Sequence, residues 1–212
     1  MSAAGREHQR PVATRPESSL QRGFDLLATA PNAIASLREL VLGAALRGIL
    51  DATSGPYTPT TVTSPTRRPA LLNEFPLPRG WHWSRVGELC DLRTGATPST
   101  SRREFFGGDV RWLVSGDIHQ REIHDCEGRI TSLAVTSSNC KVLPENSVLI
   151  ALNGQGKTRA TVAVLRVPAA CNQSLVAMTP KSGALITPEF LFWNLRYRYR
   201  EIRDVTGQHQ RR

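Results

Sequence analysis

The chain has 212 residues, with 27 Lys+Arg, 18 Asp+Glu and a formal net charge of +9. Hydrophobic residues make up 40%, enough to build a packed core, which excludes a wholly disordered chain. No apolar run approaches the ~20 residues of a membrane span, and residues 1–10 lack the apolar stretch of a secretory signal, so a cytoplasmic, membrane-free protein is expected.

All but three of the basic residues are arginine; the lysines are Lys141, Lys157 and Lys181. Arginine presents a planar fork of donors that matches phosphates and guanine edges, so the excess points toward nucleic acid, with compositional bias as the bland alternative. Cys90, Cys126, Cys140 and Cys171 form no Cys-x-x-Cys pair and read as reduced core residues. His119, His124 and Cys126 lack a fourth ligand at zinc spacing, so no metal site is expected.

Residues 1–19 are polar and proline-bearing and read as a disordered tail. A helical docking and spacer segment is expected over 20–52. It opens with a short helix around Phe24–Leu27, and a second helix runs from an Asn32 cap to about Ala52. Ile34, Leu37, Val41, Ala44 and Gly48 repeat at intervals of 3, 4, 3 and 4, the seam of a coiled coil, while Leu40, Leu42, Leu46, Ile49 and Leu50 occupy other sides. A helix apolar nearly all round must be covered on several sides, which assigns Ile34, Leu37, Val41, Leu42, Leu46 and Ile49 to partner docking. Residues 53–78, rich in Pro, Thr and Ser, predict an extended linker.

From residue 79 to 206 the pattern is mostly β, followed by a tail over 207–212. Strands are predicted at Val86–Leu92, Val110–Val114, Ser147–Leu152, Thr161–Val167 and Ser174–Met178. Thr187-Pro188-Glu189 then opens a final helix with a cap, a proline at the first position and an acid in the first turn. The fold class is therefore α+β.

Ala151-Leu-Asn-Gly-Gln-Gly-Lys-Thr158 fits a loosened phosphate-loop pattern, but the residues after it favour a strand, so the amides would lack a helix end behind them. The better reading is a β-hairpin tip that displays Asn153, Gln155, Lys157, Thr158 and Arg159, whose amide, ammonium and hydroxyl groups suit bases and phosphates. No nucleophile elbow, zinc-protease helix, dinucleotide fingerprint, metal-nuclease Glu-x-Lys pair or Asn/Asp-Pro-Pro-Tyr methyltransferase tetrad appears. The chain is expected to catalyse nothing.

Leu77-Pro-Arg-Gly-Trp-His-Trp-Ser-Arg-Val-Gly-Glu-Leu, Arg93-Thr-Gly-Ala-Thr-Pro-Ser-Thr, Gly108-Asp-Val-Arg-Trp-Leu-Val-Ser-Gly-Asp-Ile and Cys171-Asn-Gln-Ser-Leu form an ordered series. Together with Ser137–Pro144 and Gly154–Arg159, this series resembles the target recognition domain of the specificity subunit of type I restriction–modification systems. Phe24-Asp-Leu-Leu-Ala-Thr-Ala-Pro-Asn and Ala45-Leu-Arg-Gly-Ile-Leu resemble the helical region that precedes such a domain. The resemblance implies a non-catalytic subunit that reads double-stranded DNA and docks methyltransferase and restriction subunits. It further implies that this chain binds no cofactor, while its partners use S-adenosylmethionine, ATP and magnesium. Only one recognition domain and one helical region are present, so the chain is expected to be a half-length subunit that pairs with a copy of itself, a truncated remnant, or one piece of a split gene. DNA contacts are expected from Gln155, Lys157, Thr158 and Arg159, then Arg102, Arg103 and Ser115, with Gly95 shaping a turn. The rival reading is a protein-interaction adaptor.

Overall fold

The computed structural model describes residues 32–48, 50, 77–78, 80–154 and 156–207. The expected N-terminal tail, the first short helix, nearly all of the linker, Ile49, Gln155 and the last five residues lie outside this set. Two compact units, residues 1–41 and 42–212, divide the chain. Among the described residues no helix is long and apolar enough to cross a membrane.

Helix α1 (Ala33–Leu46) begins in the first unit and ends in the second. Asn32 stands at the expected cap position directly before Ala33, but not in the extended backbone usual for an N-cap. Its φ of 61° is left-handed, and its carbonyl accepts from Ser36 N–H at 2.9 Å. The helix also stops earlier than Ala52, because Gly48 adopts φ 68°, the conformation that ends helices.

The second unit contains α2 (Val86–Leu89), β1 (Cys90–Thr94), a 3-10 turn η1 (Arg103–Phe105), β2 (Phe106–Leu113), η2 (Ser115–Gln120), β3 (Glu122–Ile123), β4 (Arg129–Ile130) and α3 (Ser132–Ser137). It continues with β5 (Val148–Ala151), β6 (Val162–Leu165), β7 (Ala170–Cys171), β8 (Leu175–Pro180), α4 (Pro188–Tyr197) and α5 (Tyr199–Gly207). One sheet has the order β1-β8-β5-β6-β3 and the other β4-β2-β7. The architecture is mixed α+β.

Strands β5 and β6 show why their sequences are apolar without alternation. Leu149, Ala151, Ala163 and Leu165 face a core shared with Leu113 of β2 and Cys171 of β7. Val148, Ile150, Val162 and Val164 face Leu191 and Phe192 of α4. A strand covered on both faces has no solvent side to make polar. Thr187 caps α4 as expected, its hydroxyl accepting from Phe190 N–H at 3.1 Å.

Two elements differ from expectation. The sequence predicts one strand over Val86–Leu92, but α2 forms first: the Glu88 carboxylate accepts from Arg85 N–H at 3.1 Å, and Lys181 Nζ donates to the Gly87 and Glu88 carbonyls at 3.2 and 3.0 Å. These bonds satisfy backbone groups at both ends of a single turn. The final helix is two, α4 and α5, broken at Arg198, whose N–H donates to Asn194 O at 3.1 Å. All four cysteines are buried and free, and burial pushes the Cys171 thiol up to about 12.

Candidate nucleic-acid interface

Strands β5 and β6 pair antiparallel, with Val148 opposite Val164 and Ile150 opposite Val162, so the segment between them is a hairpin loop. No helix follows it, and the phosphate-loop reading is excluded on the geometry required for that site. Gly154 has φ 145° and Gly156 φ 59°, values that glycine adopts without penalty.

Lys157 is exposed at this loop. Thr158 is half-buried, and its Oγ1 lies 3.1 Å from His119 Nε2 on η2. Arg159 is half-buried, with a buried Nε that has no hydrogen-bond partner among the described residues. Beneath the loop, α5 supplies donors: Tyr199 Oη donates to Lys157 O at 3.0 Å, and Arg203 Nη1 donates to Gly156 O at 2.7 Å and Arg159 O at 3.1 Å. Ser115 is half-buried and opens η2, the turn that packs on β5 and β6 and carries His119.

Arg102 and Arg103 lie on a different segment, Arg102 just before η1 and Arg103 opening it, and η1 packs on α3 and β2. Arg102 is also engaged. It meets Glu104 at 2.7 Å and stacks 4.2 Å from the Phe105 ring centroid, and its hydrogen bond is the main reason the Glu104 carboxyl sits below its usual range.

Other arginines are likewise drawn into ion pairs. Arg111 and Arg129 share Asp125 at 2.8 and 2.9 Å, and the Arg111 hydrogen bond leads in holding that carboxyl low. Arg166 bridges Glu122 at 2.6 Å and Glu189 at 3.1 Å, joining β3 to α4. The positive charge available to a partner is therefore smaller than the composition suggests.

Of the docking residues, Ile34 and Val41 are exposed at 70% and 50%; Leu37 is exposed as well, and Leu42 is half-buried. Leu46 corrects its expectation. It is buried, lining an apolar groove of about 530 Å³ with Leu77, Trp81, Phe190 and Leu195 of its own unit. Close packing causes this: a Cβ at Gly43 would meet Tyr197 Oη at 2.9 Å, so this end of α1 lies tight against α4.

Sequence reasoning missed His119, Tyr199 and Arg203 as loop partners. The four-residue spacing of Tyr199 and Arg203 places them on one helix face, a signal that was present but had no target.

The family model described as "Type I restriction modification DNA specificity domain" matches residues 78–211. The chain belongs to this family. Among similar proteins, the type I restriction enzyme MjaIX specificity subunit of Methanocaldococcus jannaschii is 26% identical over 139 residues, covering 62% of this chain and 30% of that protein. The EcoR124I/EcoR124II specificity subunit of Escherichia coli is 30% identical over 106 residues, covering 49% of this chain and 26% of that protein. This chain thus spans less than a third of the length of these relatives. In fold, the chain is similar to the crystal structure of the HsdS subunit from Thermoanaerobacter tengcongensis, with a TM-score of 0.52 and 20% identity over 86% of this chain and 39% of that one.

Proposed function

We propose that this chain is a DNA-reading specificity unit that directs adenine methylation and restriction carried out by partner subunits. The observation that carries the reading is the family match, which spans the β-rich domain from residue 78 through α5. The hairpin loop, with exposed Lys157 and the Thr158 hydroxyl, is the contact surface for duplex DNA. Lys157 grips phosphate, and Gln155, Ser115 and Arg159 supply polar groups toward bases. The exposed apolar residues Ile34, Leu37, Leu40 and Val41 of α1 suit docking of methyltransferase subunits. The methyltransferase would bring S-adenosylmethionine and the restriction subunit ATP and magnesium, all acting in the cytoplasm. Two copies of this recognition domain related by a two-fold axis would read an inverted repeat.

Retardation of duplex DNA as a function of salt tests the contact. Affinity falls steeply with ionic strength as counterions are released. Lys157→Ala weakens binding about tenfold on every sequence and makes the slope shallower by about 0.9. Gln155→Ala costs about 1–3 kcal/mol on the cognate site alone. Absence of retardation at low salt would favour the adaptor reading, which the exposed apolar side of α1 also suits.

A further inference from the structure

Four consecutive carbonyl oxygens in the hairpin loop are occupied by donors from within the protein. Arg203 takes Gly156 O and Arg159 O, and Tyr199 Oη takes Lys157 O. Thr161 Oγ1 adds a second bond to Lys157 O at 2.7 Å, and Thr161 N–H donates to Thr158 O at 3.0 Å. Arg203 Nη1 also donates to Tyr199 Oη at 2.9 Å, and its guanidinium carbon lies 5.4 Å from the Tyr199 ring centroid, so the two side chains act as one unit.

A trans peptide points its carbonyl and the following amide in opposite directions, and the described residues contain no cis peptide bond. Drawing the Gly156 and Lys157 carbonyls toward α5 therefore turns the amides of Lys157 and Thr158 away from it. Among the described residues neither amide donates a backbone hydrogen bond. Successive outward amides form a concavity that accepts an anionic oxygen. Without the donors beneath, carbonyl oxygens would be free to swing outward and repel that anion.

We propose that Tyr199 and Arg203 are positioning residues for DNA recognition, holding the loop so that two amides, the Lys157 ammonium and the Thr158 hydroxyl converge on a backbone phosphate. This role rests on the DNA-reading assignment of the loop. Arg203 Nη1 is committed to three acceptors, two loop carbonyls and the Tyr199 hydroxyl, so this nitrogen acts on the loop and not on DNA.

The lysine count makes the brace measurable without DNA. A lysine-specific endoproteinase cuts only after Lys141, Lys157 and Lys181, so the first and last serve as internal references. Tyr199→Phe and Arg203→Ala raise cleavage after Lys157 about tenfold relative to the other two sites, and Arg203→Lys raises it less. An unchanged ratio in both the Tyr199→Phe and the Arg203→Ala digests overturns the brace.

The second arm measures duplex DNA binding by the full chain. Tyr199→Phe removes no charge, yet it should lower affinity about fivefold and move the salt slope toward that of Lys157→Ala. Its cost should also be less than additive with Lys157→Ala. An unchanged slope with additive costs overturns the positioning role. A parent chain that binds no DNA overturns the DNA-reading assignment and the phosphate role with it, while the digest still decides the brace.

Discussion

Gly95→Ala lowers the stability of the chain by about 3 kcal/mol or more, seen as a fall of about 6–12 °C in the thermal midpoint. A Cβ at this position would lie 2.1 Å from Asn172 O and 2.3 Å from Cys171 O. Both obstacles are backbone, so no side-chain rotation relieves the clash. The junction also joins several elements. Gly95 N–H donates to Leu175 O at 3.1 Å and Ala96 N–H to Cys171 O at 2.9 Å, while Ala96 O accepts from Trp112 Nε1 at 3.1 Å. Forcing the end of β1 away from residues 171–175 therefore loosens both sheets together. Circular dichroism melts of parent and variant measure the difference, and a midpoint within 2 °C of the parent would contradict this account of the glycine.

Leu149→Ala costs about 3–4 kcal/mol, the range for deleting a large side chain from a core that cannot collapse around the gap. Leu149 is fully buried on β5, in the core shared by the two sheets, and Val148 beside it packs on the α4 side. Neither neighbouring layer can move in without disturbing the other. The same substitution at Leu152, which is 41% exposed, changes stability by less than about 0.5 kcal/mol. Urea midpoints at constant slope provide the comparison; equal shifts for the two variants would show that β5 is not the centre of the fold.

The central strands and the α4 cap were legible because their signals are local. Uninterrupted apolar runs at 148–151 and 162–165 reflect burial on two faces, and Thr187-Pro188-Glu189 carries its own cap. The hairpin was legible because both flanking strands were. What the sequence hid was long-range. The helical turn at Val86–Leu89 depends partly on Lys181, some ninety residues away, and Leu46 is buried by partners such as Leu77 and Leu195. The break at Arg198 lacks a glycine or proline to announce it. The loop brace joins residues 199 and 203 to 156–159 across the chain, a pairing that no periodicity encodes. Arg102 illustrates the opposite error. A cation in a Ser/Thr-rich loop looks available until Glu104 and Phe105 are placed beside it.

On the proposed reading, this domain selects DNA sequence through its hairpin loop on behalf of a methyltransferase. Co-expression with candidate methyltransferase subunits, followed by base-resolution mapping of adenine methylation, measures that selection directly. Methylation should appear at one defined motif only when this chain is present, and replacing residues 153–159 should change or abolish the motif. Methylation independent of the chain, or a motif untouched by loop replacement, would contradict the account.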